Sequence, residues 1–324
     1  MDNITVLVLS DPTDRQLAML ETLPGPTSIA VGNRAEAFER LAPEAQVLFN
    51  WSGSRQLVQQ VWKMAPRVQW VHSRAAGLDG LLFPELVESP ALLTNGSGVF
   101  SQSLGEFVLA SALFFAKDFR RMIRSQEAGA WAPFDVEEVS GQTMGIVGYG
   151  DIGRACARRA HAMGMKVLAL RRRPERSQGD EFVDRTYSFD GLLEMLPQCD
   201  YVVAAAPLTP ATRHLIGDTA FGAMKKTAVV MNVGRGPVID ESALVRALRN
   251  QRIAGASLDV FEREPLPAES PLWEMENVLI SPHNTDRTTD PDWMELSMQM
   301  FIANFQRYRN REPLENIVDK RAGY

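Results

Sequence analysis

Three kinds of polar side chain stand just past the ends of apolar runs in this chain. Arg235 lies within Val233-Gly234-Arg235-Gly236-Pro237, two glutamates lie in Leu258-Asp259-Val260-Phe261-Glu262-Arg263-Glu264-Pro265-Leu266, and His283 lies in Ser281-Pro282-His283-Asn284. An arginine flanked by glycines is accessible to a bidentate anion such as a carboxylate. Histidine is the proton donor whose ordinary pKa suits neutral pH, and a neighbouring carboxylate favours its charged form. Arginine, glutamate and histidine together therefore suit reversible reduction of a carbonyl in an organic acid: the acid needs an anchor and the carbonyl oxygen a proton. The remaining histidines compete poorly. His161 falls inside a helical stretch, His214 in a polar turn after Pro207-Leu208-Thr209-Pro210, and His72 in a buried-looking strand, with cleft lining by His72 and Arg74 as the alternative.

Such chemistry needs a hydride carrier, and a dinucleotide fingerprint is present. Gly148-Tyr149-Gly150-Asp151-Ile152-Gly153 follows the strand-like Met144–Val147 and opens a helix-like stretch from Arg154 to Met163. In that context Gly148 permits the tight turn, Gly150 the approach of a pyrophosphate and Gly153 the packing of helix on strand, while the helix-start amides face the phosphates. The next strand, Lys166–Leu170, ends in Arg171-Arg172-Arg173 where an acidic residue would hold the ribose diol of NAD. Arg171 and Arg172 suit a 2′-phosphate, so NADP is favoured, with NAD as the alternative. Pro207 and Thr212, beyond the strand at Tyr201–Ala206, and Val233 and Gly234 complete the set assigned to the cofactor.

These residues are carried by short β-branched runs alternating with helix-like segments, the mark of a parallel sheet with crossover helices. One series comprises Thr5–Leu9, Val47–Asn50, Val68–His72 and Leu92–Thr94. A second comprises Thr143–Gly148, Lys166–Leu170, Tyr201–Ala206, Ala228–Val233, Ala254–Val260 and Val278–Ser281. Two series predict an α/β chain of two doubly wound parallel-sheet domains, since one sheet of that many strands would curl or split. A helix over Ser103–Arg124 would cross between them. A last helix over Pro291–Arg309, rich in Met and aromatic residues, would return to the first unit, which places the nucleotide domain (99–287) within a substrate domain (1–98 and 288–324).

The 324 residues, 45% hydrophobic with a net charge of −6, have the composition of a globular enzyme. Dispersed basic residues predict no nucleic-acid partner, and no apolar run reaches the roughly 20 residues of a membrane span. The start at Met1 carries no signal-peptide pattern, and Cys156 and Cys199 share no metal-like spacing, so a cytoplasmic protein with reduced cysteines is expected.

Taken in order, the glycine fingerprint, Asn232-Val233-Gly234-Arg235-Gly236, Leu258 to Pro267 and Ser281-Pro282-His283 resemble the D-isomer-specific 2-hydroxyacid dehydrogenases, over nearly the whole chain. That resemblance implies Arg235, Glu264 and His283 as the catalytic residues, with Glu264 rather than Glu262 as the histidine's partner. It implies that a loop similar to Arg74-Ala75-Ala76-Gly77-Leu78-Asp79 binds the substrate carboxylate through the amides of Ala76 and Gly77, and that Asp259 contacts the nicotinamide carboxamide. It also implies a homodimer built on the helix near Ser103–Arg124, with Trp131 beyond it. Asn50-Trp51 and the arginines after Leu170 look most like NADPH-dependent glyoxylate and hydroxypyruvate reductases, which makes Trp51 a substrate-side candidate and a small 2-oxo acid the expected substrate. Two features depart from the family: Asn284-Thr285-Asp286-Arg287 is bulkier than usual, and Arg74 either reads a second anion on a larger 2-oxo acid or points outward. The reading from a different class is a nucleotide-sensing regulator on the same scaffold, as in the C-terminal-binding-protein corepressors.

Overall fold

The computed structural model describes residues 3–288 and 292–324. Two compact units emerge, one formed by Met1–Val99 with Thr288–Tyr324 and the other by Phe100–Arg287. The strands of the first are β1 (Ile4–Leu9), β2 (Thr27–Gly32), β3 (Val47–Asn50), β4 (Trp70–Ser73) and β5 (Leu92–Asn95); those of the second are β6 (Thr143–Val147), β7 (Lys166–Leu170), β8 (Arg185–Tyr187), β9 (Tyr201–Ala204), β10 (Val229–Asn232), β11 (Gly255–Leu258) and β12 (Val278–Ile280). The helices are α1 (Arg55–Met64), α2 (Pro84–Glu88), α3 (Ser101–Ala116), α4 (Phe119–Glu127), α5 (Asp151–Ala162), α6 (Leu192–Met195), α7 (Asp218–Ala223), α8 (Glu241–Arg249) and α9 (Trp293–Asn310).

Both sheets are parallel, with strand orders β2-β1-β3-β4-β5 and β12-β11-β10-β9-β6-β7-β8. A parallel sheet covered on both faces must be apolar on both, which explains the unbroken aliphatic runs. In the second unit Val147, Leu168, Val202 and Val230 face one core, while Ile146, Val167, Val203 and Met231 face the other. In the first unit Leu7, Leu9, Leu48 and Val71 line one core, and Val6, Val8, Phe49 and Trp70 line a second that is closed by Met298, Phe301 and Phe305 of α9. The Phe301 ring stacks on Phe49 at 4.0 Å and on Trp70 at 5.3 Å between centroids.

Some elements differ from the expectation. Strands β2 and β8 were not among the expected runs; β8 is a three-residue edge strand and β2 is mostly half-buried, so neither carries the aliphatic signal of a central strand. The single helix over Ser103–Arg124 is two helices. Asp118 adopts a left-handed backbone (φ 49°) and caps α4 through Arg121 N at 3.2 Å, breaking the chain direction after Ala116. The Pro291 start expected for the last helix lies outside the described residues.

Among the described residues no helix is long and apolar enough to cross a membrane, and no group of three or more His, Cys, Asp or Glu side chains is placed to hold a metal ion. Both cysteines are buried and unpaired.

Candidate active site

The turn between β6 and α5 has the geometry that its glycines predict. Gly148 has φ +100°, and a Cβ there would sit 2.4 Å from the amide nitrogen of Ala206. A Cβ on Gly153 would meet the Gly148 carbonyl at 2.6 Å, so helix and turn are in direct backbone contact. Gly150 faces open space, with nothing within 4 Å of an added Cβ. A bare backbone edge at the start of the twelve-residue α5, Asp151 and Ile152 in its first turn, fits the phosphates of a dinucleotide.

The residues around this turn form a small charged network. The Tyr149 hydroxyl donates to Asp180 Oδ2 at 3.0 Å, and Arg154 Nε meets the same oxygen at 3.0 Å. Burial would raise the Asp180 carboxyl, but the Phe182 amide, Arg154 and Tyr149 outweigh it and hold the group below the usual carboxylate range. Burial, with Asp180 as acceptor, pushes the Tyr149 phenol up. At the end of β7, Arg171 donates to Ser177 Oγ at 2.8 Å with its guanidinium 6.0 Å from the centre of the Tyr149 ring. Burial lowers the Arg171 guanidinium from its ordinary value. Arg172 is exposed. Past β9, buried Thr212 staples its own loop: its hydroxyl donates to Pro207 O at 2.6 Å and accepts from Thr209 N at 2.8 Å.

Arg235 follows β10 by way of Val233 and Gly234. Its loop is set by buried Asn232, whose Nδ2 donates to Arg235 O at 3.1 Å and whose Oδ1 accepts from Gly234 N at 3.2 Å. The next residue, Gly236, packs directly on the loop after β11: a Cβ there would lie 1.9 Å from both C and O of Phe261. Glu264 sits on that second loop, its Oε1 accepting from Phe261 N at 3.0 Å and its Oε2 lying 2.6 Å from His283 Nδ1. His283 has a left-handed backbone (φ 49°), and its amide donates to Asp259 O at 2.9 Å. The Glu264 carboxylate thus holds one ring nitrogen and turns the other outward, the arrangement of an oriented proton donor.

Asp259 anchors the segment that carries the histidine. It is buried, and its carboxylate accepts from Asn284 N at 3.1 Å, Thr285 N at 3.3 Å and Thr285 Oγ1 at 2.7 Å. The Ser281 hydroxyl donates to Asn284 Oδ1 at 2.7 Å, so the bulkier residues after His283 fasten the loop. Beside Glu264 and His283 opens a pocket of about 640 Å³ walled by Phe261, Leu266, Trp273 and Ile280, with Asp286 and Arg287 at its edge.

In the other unit, Arg74 packs on an aromatic side chain. Its guanidinium lies over the Trp51 ring, 5.0 Å from the centroid, and Nη1 is 3.3 Å from Met294 Sδ. The Arg74-Ala75-Ala76-Gly77 loop is tied to its sheet, Arg74 N donating to Asn50 O at 3.0 Å and Asn95 Nδ2 to Ala76 O at 2.7 Å. His72 is not a cleft residue. It is fully buried among Phe49, Trp70 and Phe301, with Nδ1 2.7 Å from Thr94 Oγ1, and burial pushes its pKa down to about 3.

One pairing was invisible in the sequence. His214, expected as a solvated turn histidine, has Nε2 2.7 Å from Glu262 Oε1, so the loop after β11 carries two glutamates that each meet a histidine.

Residues 109–285 match the family model for the NAD-binding domain of D-isomer-specific 2-hydroxyacid dehydrogenases. The chain is 37% identical over 271 residues to a glyoxylate reductase of Korarchaeum cryptofilum, covering 81% of this chain and 79% of that protein. It is 36% identical over 256 residues to the glyoxylate/hydroxypyruvate reductase B of Salmonella heidelberg, covering 76% and 78%. Among solved structures it is similar to a D-isomer-specific 2-hydroxyacid dehydrogenase from Xanthobacter autotrophicus, crystallised with NADPH and MES, at a TM-score of 0.86 and 29% identity with both chains fully covered. An NADPH-dependent glyoxylate/hydroxypyruvate reductase from Sinorhizobium meliloti, in complex with NADP and sulfate, aligns over both full lengths at a TM-score of 0.81 and 27% identity. On the family model and on these relatives, the chain belongs to the D-isomer-specific 2-hydroxyacid dehydrogenase family.

Proposed function

We propose that the chain is an NADP-dependent reductase of a small 2-oxo acid, with glyoxylate and hydroxypyruvate as the leading substrates. The observation that carries this is the His283–Glu264 pair at 2.6 Å, on a loop in backbone contact with the Arg235 loop and in the same unit as the dinucleotide turn. When bound, the nicotinamide supplies the hydride. Arg235 binds the carboxylate of the oxo acid, and in the other unit the amides of Ala76 and Gly77 are the carboxylate-binding candidates. His283, held through Nδ1 by Glu264, delivers a proton from Nε2 to the carbonyl oxygen, and the product is the D-2-hydroxy acid. Arg171 and Arg172 receive the 2′-phosphate, with the glycine turn, Val233 and Gly234 against the rest of the dinucleotide. The unit Phe100–Arg287 then acts as the nucleotide domain and the other as the substrate domain. Arg74, which lies over the buried Trp51 ring, contributes to the substrate side.

The same reading includes a homodimer in the cytoplasm. Exposed Phe119, Met122 and Ile123 on α4, with Trp131 beyond it at 96% exposure, supply an apolar surface for a second copy, and the two free buried cysteines suit a reducing compartment. The test is a panel of 2-oxo acids (glyoxylate, hydroxypyruvate, pyruvate, phenylpyruvate) assayed with NADPH and NADH in parallel, alongside His283→Ala and sedimentation of the intact protein. Turnover of glyoxylate or hydroxypyruvate with NADPH is expected, with a loss of at least roughly a hundredfold in His283→Ala at unchanged cofactor affinity. No turnover on any of the acids, or near-normal turnover in the variant, refutes it.

A further inference from the structure

Glu262 is a junction. Its Oε1 accepts from Glu241 N at 3.2 Å and lies 2.7 Å from His214 Nε2, while its own amide donates to Glu241 Oε2 at 3.1 Å. His214 is held at its other end, where its amide donates to Pro237 O at 2.8 Å from a left-handed backbone (φ 53°). Neighbouring Ile216 bridges to Ile239. Three segments therefore meet at one carboxylate: the loop that contains Pro207 and Thr212, the segment that runs from Arg235 into α8, and the loop that carries Glu264. Each of them bears a residue assigned above to cofactor, substrate or proton transfer.

The covalent distance is short on the side that matters. Glu262 is two residues from Glu264, and the turn between them is closed by Phe261 N donating to Glu264 Oε1. The Phe261–Glu262 backbone is the surface on which Gly236 rests, and the carboxylate of Glu264, two residues on, meets His283. The reciprocal backbone bonds between Glu262 and Glu241 fix the Glu262 carboxylate where His214 meets it.

We propose that His214 is a positioning residue: through Glu262 it holds the loop that aims Glu264 at His283. The proposal rests on the reading of His283–Glu264 as the proton-delivering pair, and it is tested in a way that separates the two. His214→Asn suits the left-handed backbone but ends short of Glu262; Glu262→Gln keeps the length and removes the charge. In the holoenzyme with NADP, the ring ¹⁵N shifts of His283, read through its carbon-bound protons, are compared at fixed pH in wild type, His214→Asn, Glu262→Gln and Glu264→Gln. With four histidines in the chain, assignment by single substitution is straightforward. The expected result is that both His214→Asn and Glu262→Gln move the His283 signals at least about halfway toward those of Glu264→Gln, and lower kcat for glyoxylate reduction by roughly tenfold or more, with KM for NADPH within about twofold. His283 signals that superimpose on wild type in either folded variant overturn the positioning role. If His214→Asn does not fold, Glu262→Gln decides. Wild-type protein without reductase turnover, but with His283 signals that respond as expected, removes the functional reading and leaves the positioning intact.

Discussion

Urea unfolding at about pH 8 and about pH 5, compared between the wild-type chain and His72→Gln, measures what a neutral histidine in the core does to stability. The His72 ring has no exposed surface, sits among three aromatic rings, and its Nε2 has no hydrogen-bond partner among the described residues. Burial is the cause that lowers its pKa from 6.5 to about 3. The sign follows from proton linkage: the unfolded chain binds a proton at His72 below pH 6.5 and the folded one does not, so the folded state loses stability as pH falls through 6.5 and ceases to lose it near pH 3. The full span corresponds to about 5 kcal/mol at 1.36 kcal/mol per pH unit, and the part developed by about pH 5 is about 2 kcal/mol. Carboxylates titrate in both proteins and cancel in the comparison. Unfolding of the first unit, followed by tryptophan fluorescence, should therefore weaken between the two pH values by about 2 kcal/mol more in wild type than in His72→Gln. Equal pH dependence in the two proteins refutes the assignment of His72 as a buried neutral group.

Two substitutions test the second unit. Arg171→Ala combined with Arg172→Ala should raise KM for NADPH by roughly tenfold or more and leave that for NADH within about twofold, measured by steady-state kinetics with one oxo acid; equal effects on the two cofactors remove the 2′-phosphate role. Gly236→Ala places a methyl 1.9 Å from the Phe261 carbonyl and must push the Arg235 loop off the Glu264 loop. A loss of roughly a hundredfold or more in kcat/KM is expected, together with a lowered thermal midpoint, and normal turnover would show that the two loops need not touch.

How much of this could be read in advance varies with the kind of interaction. Central strands such as β6, β9 and β10 were legible because burial on both faces demands consecutive aliphatic residues. The edge strands β2 and β8 lack that demand, and the break at Asp118 depends on one residue's left-handed backbone, which composition does not report. The glycine turn and the order Arg235, Glu264, His283 were legible because each sits just past a strand end, where a doubly wound sheet exposes its loops. The direction of Arg74 was not, because the Trp51 ring that it covers and Met294 beside it are brought there by the sheet and by α9. Likewise His214 and Glu262 are distant in sequence and meet because the loops after β9 and β11 converge. Pairings of this sort are written in the fold and leave no local pattern.

The contribution of α9 to the first unit has a consequence for synthesis. One face of the β1–β5 sheet is closed by Met298, Phe301 and Phe305, which the ribosome delivers only after all of Phe100–Arg287 has been made. The second unit is continuous in sequence and has both of its cores to hand as soon as it emerges. Until α9 is made, Val6, Val8, Phe49 and Trp70 lack the α9 side of their core, so a truncated product without α9 leaves that apolar face incompletely covered.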